Sequence, residues 1–319
     1  MIITLKDTTA SAVASRLDRV REESGSLTMG RVLTLLVVVS DMIDVGRAIQ
    51  ISSAASREHP CRVIVVVESD ASVEKARLNA QIRVGDEEGP SEVIVLEPLG
   101  GAAEDLDTLV MPLVLADTPV VAFWPDTPPD NPGEHPLGVI AVRRITDSRE
   151  TDCPMRTLMD LADVYHPGDS DLAWSGITLW RRFIATTVDQ FTHKPTSIVV
   201  KGNRTHPSSY LIAAWLTAVC GIEAKVEVDE NADTVDGVFF RFRDKSEISL
   251  TRHTGSSVAH LHLPDRETAY VNLARRPVED CLMEELRRLD ADTFYERILT
   301  KELPALKSTQ HLLETAGAR

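Results

Sequence analysis

Apolar and polar positions follow two periods along the chain, and the balance shifts from helical to alternating spacing near residue 222. Val13, Leu17 and Val20 recur at helical spacing within 9–23, which predicts an amphipathic helix. The run Val32-Leu33-Thr34-Leu35-Leu36-Val37-Val38-Val39 has no polar face, so 31–39 is expected as a strand buried on both sides. Residues 41–58 return to helical spacing, with Ile43, Ile49 and Ala54 among the apolar positions. His59-Pro60 ends that helix, because the residue before a proline avoids the helical region. A second buried strand follows at 62–67. Helix then strand, twice over, predicts an α/β layer with parallel strands. Further strands are expected at 76–84, 92–96, 119–124 and 139–142. Leu106, Leu109, Val110, Leu113 and Val114 mark a helix in which Pro112 predicts a kink. The segment 125–133, with four prolines, is too rich in breakers for regular structure.

A boundary is expected near Tyr165-His166-Pro167-Gly168-Asp169-Ser170. Asp171 then opens a long helix reaching about Phe191, its acid suited to the positive helix start. A strand at 198–200 leads through Gly202-Asn203-Arg204 to a helix over 207–219, which Gly221 stops as a left-handed cap. Beyond it Val238, Phe240 and Phe242 share one strand face while Arg241 and Arg243 share the other. Ile248 with Leu250, and Leu261 with Leu263, repeat the alternation, predicting an antiparallel meander covered on one face. Helices at 277–289 and 291–302 close the chain. The fold class is therefore α/β: a mostly parallel N-terminal domain over 1–167, an α+β domain over 168–303, and a frayed tail over 304–319.

Composition narrows the function. Of 319 residues 43% are hydrophobic, ample to bury a core, so the chain is not expected to be disordered. Forty-nine acids against 34 basic residues give a net charge of -15, which disfavours nucleic acid and anionic membrane surfaces. The longest apolar run falls well short of the ~20 residues that cross a bilayer. The start, Met1-Ile2-Ile3-Thr4-Leu5-Lys6, lacks the features of a secretion signal. Cys61, Cys153, Cys220 and Cys281 are scattered, the pattern of reduced thiols in a cytoplasmic protein.

Candidate chemistry is sparse. Lys201, Gly202, Asn203 and Arg204 join a strand to a helix start, where backbone N–H groups and two cations suit a phosphate or carboxylate. The plainer reading is a capped turn with Pro207 at the first helical position. No glycine-rich nucleotide motif occurs. His260 and His262 share a strand face near His253, as metal ligands or as a solvated face; ligand geometry is demanding, and no metal is assigned. No Gly-x-Ser-x-Gly elbow is present, and no catalytic residue or cofactor is assigned. Three patches stand out instead: 56–62, 143–149 and 171–182. The last holds Trp174 and Trp180, about 120° apart in helical projection. Either one is core and the other faces a partner, or both are core.

These patches carry a resemblance. His59-Pro60-Cys61-Arg62 before a valine-rich strand, the stretch 115–120 leading to Trp124, and Asp147-Ser148-Arg149 are similar to segments of the OpcA family, the glucose-6-phosphate dehydrogenase assembly proteins of actinobacteria and cyanobacteria. Asp171-Leu172-Ala173-Trp174 with Trp180-Arg181, and Leu286-Arg287-Arg288-Leu289-Asp290, continue it in order across residues 30 to 300. The resemblance implies a non-catalytic cytoplasmic partner of glucose-6-phosphate dehydrogenase, acting on its assembly or allosteric activation at the start of the oxidative pentose phosphate pathway. Aromatic and arginine-rich composition nominates Trp124, Asp147, Arg149, Asp171, Trp174, Trp180 and Arg181 as partner contacts. The alternative is a sugar-phosphate binder or enzyme using Lys201, Gly202, Asn203 and Arg204.

Overall fold

The valine-rich runs form the centre of an eight-stranded sheet. The computed structural model describes residues 1–24, 30–68, 75–84, 92–191 and 193–310. In chain order the first sheet contains β1 (Ile2–Leu5), β2 (Leu33–Val39), β3 (Cys61–Val67), β4 (Arg77–Arg83), β5 (Glu92–Leu99), β6 (Val120–Trp124), β7 (Arg143–Thr146) and β8 (Asp169–Asp171). Their spatial order is β1-β4-β5-β3-β2-β6-β7-β8. The β3–β2, β3–β5, β2–β6 and β6–β7 pairs are parallel, with Leu33 opposite Cys61 and Thr34 opposite Val120. The antiparallel pairs β1–β4 and β4–β5 complete one edge. Strand order reverses at β2/β6.

Every residue of β2 and β3 is buried, as a strand covered on both faces requires. Helix α1 (Ala10–Ser24) lays Val13 and Leu17 against Leu36, Val38, Ile64 and Val66 on one face. Helix α2 (Val45–Ser56) covers β2 and β3. It starts four residues later than expected, and Ile43 is 86% exposed in the turn before it. The next helix, α3 (Leu106–Val110), tightens into a 3-10 turn at Met111–Leu113, where Pro112 removes a helical donor.

The strand expected at 139–142 is displaced. Pro136–Val139 is a short helix, α4, and β7 begins at Arg143. Val139 and Val142 are largely exposed, while Arg143 and Arg144 are buried, so apolarity pointed to the wrong four residues.

The second sheet contains β9 (Ser197–Gly202), β10 (Ala224–Val228), β11 (Val235–Arg241), β12 (Glu247–Thr251), β13 (Val258–His262) and β14 (Ala269–Asn272), in the order β10-β9-β11-β12-β13-β14. β11 to β14 form the expected meander; β10 runs parallel to β9. The helices here are α5 (Pro154–Asp163), α6 (Leu172–Gly176), α7 (Thr178–Val188), α8 (Pro207–Cys220) and, after α9 (Val278–Leu286), α10 (Thr293–Arg297). The single helix expected from Asp171 is two, broken at Ile177. Gly221 is left-handed at φ 69°, as expected of the residue that stops α8. Ile198, Val200, Val238, Phe240 and Leu250 face a core shared with α8, Tyr295 and both tryptophans. Val199 and Phe239 lie on the opposite face, beside Ser249 in register.

The chain builds two compact units and crosses between them five times. One holds residues 1–150, 168–170 and 278–291; the other holds 151–167, 171–277 and 292–319. The sequence places one boundary, at 167/168, whereas α9 returns to the first unit and packs on α2. Leu306 is in the core of the second unit, so packing continues beyond Pro304, and 311–319 of the expected tail lie outside the described residues.

Candidate functional site

In the first unit the nominated residues follow β6 and β7. Trp124 ends β6 with no exposed surface, and the His135 ring meets it edge-on at 5.3 Å between centroids. His135 Nδ1 accepts from the Leu137 amide at 3.2 Å, which puts the proton on Nε2, 2.7 Å from Glu68 Oε1 just past β3. The proline-rich loop is thereby tied across the C-terminal ends of β3 and β6.

After β7 the chain turns through Asp147, Ser148 and Arg149. Asp147 is fully buried, and Arg149 grips it with Nε to Oδ1 at 2.7 Å and Nη2 to Oδ2 at 2.8 Å. Two parallel bonds offset part of the cost of dehydrating both charges. Burial pushes the Asp147 carboxyl upward, and the guanidinium opposes that shift. Arg149 Nη1 reaches Cys281 Sγ on α9 at 3.7 Å. Arg143 donates to Glu285 of α9 and, at 2.9 Å, to the Asp290 carbonyl. Arg287 pairs with Glu58 at 2.7 Å. Arginine–carboxylate bonds thus clasp the returning 278–291 segment. Sequence reasoning missed Arg143 and Glu285 as a pair, because they lie 142 positions apart.

In the second unit Asp171 caps α6 by accepting from the Ala173 amide at 2.8 Å. Trp174 and Trp180 are both core, each 4% exposed. The Arg181 guanidinium stacks 3.6 Å above the Trp174 ring and donates to Thr178 Oγ1 at 2.9 Å. Tyr295 packs against the same Trp174 ring at 5.5 Å between centroids, and the indole N–H donates to Asp292 at 3.3 Å. Asp292 also caps α10 through the Phe294 and Tyr295 amides. Trp180 lies under Arg252, whose guanidinium donates to the Leu273 carbonyl and Thr234 Oγ1. The structure therefore unites Asp147 with Arg149, and Trp174 with Arg181. Trp124, Asp147, Asp171, Trp174 and Trp180 are buried, and Arg149 and Arg181 are half-buried.

The strand–helix turn is already satisfied from within. Lys201 pairs with Asp229 at 2.8 Å and Arg204 with Glu230 at 3.1 Å. Asn203 Oδ1 accepts from the Thr205 and His206 amides at 2.9 and 3.2 Å, using donors that an anion would need. His206, followed by Pro207, caps α8 through the Ser208 amide, as the plainer reading has it. Gly202 is needed for close approach: a Cβ there would lie 2.2 Å from Ser209 Oγ and 2.4 Å from the Thr234 carbonyl oxygen. His253, His260 and Tyr270 form an edge-to-face series on the meander. Among the described residues no group of three or more His, Cys, Asp or Glu side chains is placed to hold a metal.

Residues 52–163 match the family described as the glucose-6-phosphate dehydrogenase subunit N-terminal domain, and 167–299 match the corresponding C-terminal domain. The chain belongs to the OpcA family. The OpcA matches take in all seven nominated residues, in order, across both halves. No curated protein matches the chain. Solved structures similar to it include a 3-ketoreductase from Actinomadura kijaniata, at 12% identity and TM-score 0.42, covering 90% of this chain and 95% of that one. An NAD-binding oxidoreductase from Klebsiella pneumoniae aligns at 8% identity and TM-score 0.41, covering 90% and 98%. An oxidoreductase from Sinorhizobium meliloti aligns at 10% and 0.43, covering 90% and 99%.

Proposed function

We propose that this OpcA-family chain is a partner of glucose-6-phosphate dehydrogenase that promotes its assembly or activation by binding, without catalysis of its own. The observation that carries this is the ordered match of both family halves over 52–299. The first sheet supports it. Open α/β sheets take phosphate-bearing ligands where strand order reverses, here β2/β6. Asp41 and Asp44 occupy the turn after β2, and Asp41 Oδ1 accepts from the Ile43 amide at 2.9 Å. Across from them burial, reinforced by Asp44, raises the Asp126 carboxyl. Acids at that turn repel a phosphate instead of cradling it. The scattered spacing of Cys61, Cys153, Cys220 and Cys281 along the sequence supports a cytoplasmic setting. Among the described residues no helix is long and apolar enough to cross a membrane.

A partner shifts an equilibrium only by its differential affinity for the two states. A coupling of ~1–3 kcal/mol changes substrate affinity about 5–150-fold. The test is to mix the purified chain with its cognate dehydrogenase and follow size and kinetics. Co-elution with altered oligomer size, KM or kcat is expected. Separate elution with unchanged kinetics, or turnover of a sugar phosphate by this chain alone, overturns the reading.

A further inference from the structure

Within the second unit, the chain after α7 and the turns β11–β12 and β13–β14 line a cavity of about 850 Å³ that opens to solvent. Its floor is apolar: Phe191 and Phe242 meet edge-to-face at 5.1 Å, beside Leu263. The exposed residues Lys194, Arg243 and Arg266 line its walls. None of these three side chains has an ion-pair or hydrogen-bond partner among the described residues. That sets them apart from Lys201, Arg204 and Arg241, each of which holds an acid. Two acids also line the cavity. Asp244 is engaged by the Ser246 amide and hydroxyl at 3.0 and 2.6 Å, and Asp265 sits in a left-handed turn at φ 58°. In a chain of net charge -15, this lining, where three cations outnumber two acids over an aromatic floor, is locally positive.

We propose that this cavity binds a small organic anion with a flat aromatic or apolar body and a carboxylate, sulfonate or phosphate group. The volume lies within the roughly 300–1,000 Å³ of small-molecule pockets. The phenylalanines offer ring edges and faces to the body. Arg243 and Arg266 offer planar forks to the anionic oxygens, and Lys194 a point charge. The site is separate from the Lys201 turn, whose cations are already neutralised.

The experiment is fluorescence titration of the full chain with anilinonaphthalene sulfonate, without the dehydrogenase, so that its outcome is independent of complex formation. Saturable one-to-one binding is expected, displaced by benzoate and weakened by salt. The double variant Lys194→Glu/Arg243→Glu should bind roughly tenfold more weakly or worse, with an unchanged circular dichroism spectrum. Arg204→Glu should bind as the parent does. Phe242→Ala tests the floor separately; should it fail to fold, the exposed charge variants still decide. Non-saturable binding, binding undiminished in the double variant, or an equal loss in Arg204→Glu overturns the assignment.

Discussion

Replacing Arg149 with leucine leaves the Asp147 carboxylate buried without its bidentate partner. Breaking such a pair from one side costs about 3–5 kcal/mol, because the remaining charge stays dehydrated. Urea denaturation of Arg149→Leu should show a loss of that size, and the double variant Asp147→Asn/Arg149→Leu should regain part of it. Equal losses would show that the two side chains are not coupled. Gly168 gives a second expectation. Its φ is 99°, and an added Cβ would lie 2.7 Å from the Val142 carbonyl oxygen. Gly168→Ala should lower stability by about 1–3 kcal/mol in the same assay. Gly202 shows how one residue type misleads: a phosphate cradle and a tight strand–helix crossing both require a missing side chain, and here the crossing uses it.

Thiol reactivity reads out the elements one by one. Cys153, exposed just before α5, should react with a disulfide reagent at once in the native protein. Cys220 ends α8 half-buried, and burial pushes its thiol upward, so it should react more slowly. Cys61 on β3 and Cys281 on α9 should react only in denaturant. A native protein releasing all four equivalents rapidly would contradict the packing of β3 and α9. The same elements show what was legible. β2 and β3 could be read because all their residues but Thr34 and Arg62 are apolar, as strands covered on both faces require. β1 escaped, being four residues at a sheet edge with no residue fully buried. β7 was misplaced because Arg143 and Arg144 look like surface charge, and the carboxylates that allow their burial, Glu285 and Asp169, are remote in sequence. That both tryptophans are core was one of the two readings the sequence left open, but their partners were not legible, since a stack such as Arg181 on Trp174 with Tyr295 spans 121 positions between its ends. Their partners come from tertiary structure.

At the scale of the whole molecule, the two units are interleaved in sequence, and this limits how the chain can be divided. A fragment of residues 1–167 lacks the Glu285 partner of Arg143, the Cys281 contact of Arg149 and the apolar face that α9 lays on α2. Its thermal unfolding should be broad and begin well below that of the full chain, followed by circular dichroism. A sharp transition at the parent temperature would show that the clasp contributes little. The same interleaving sets an order of events in the cell. A nascent chain paused at residue 277 has every strand of both sheets outside or within the ribosome, yet its first unit still lacks 278–291. Early-made β2 and β3 must wait through more than a hundred further codons before their layer is sealed. The first unit therefore cannot finish folding until 278–291 has been made, and products stopped before that segment should be cleared by proteolysis before they meet any partner.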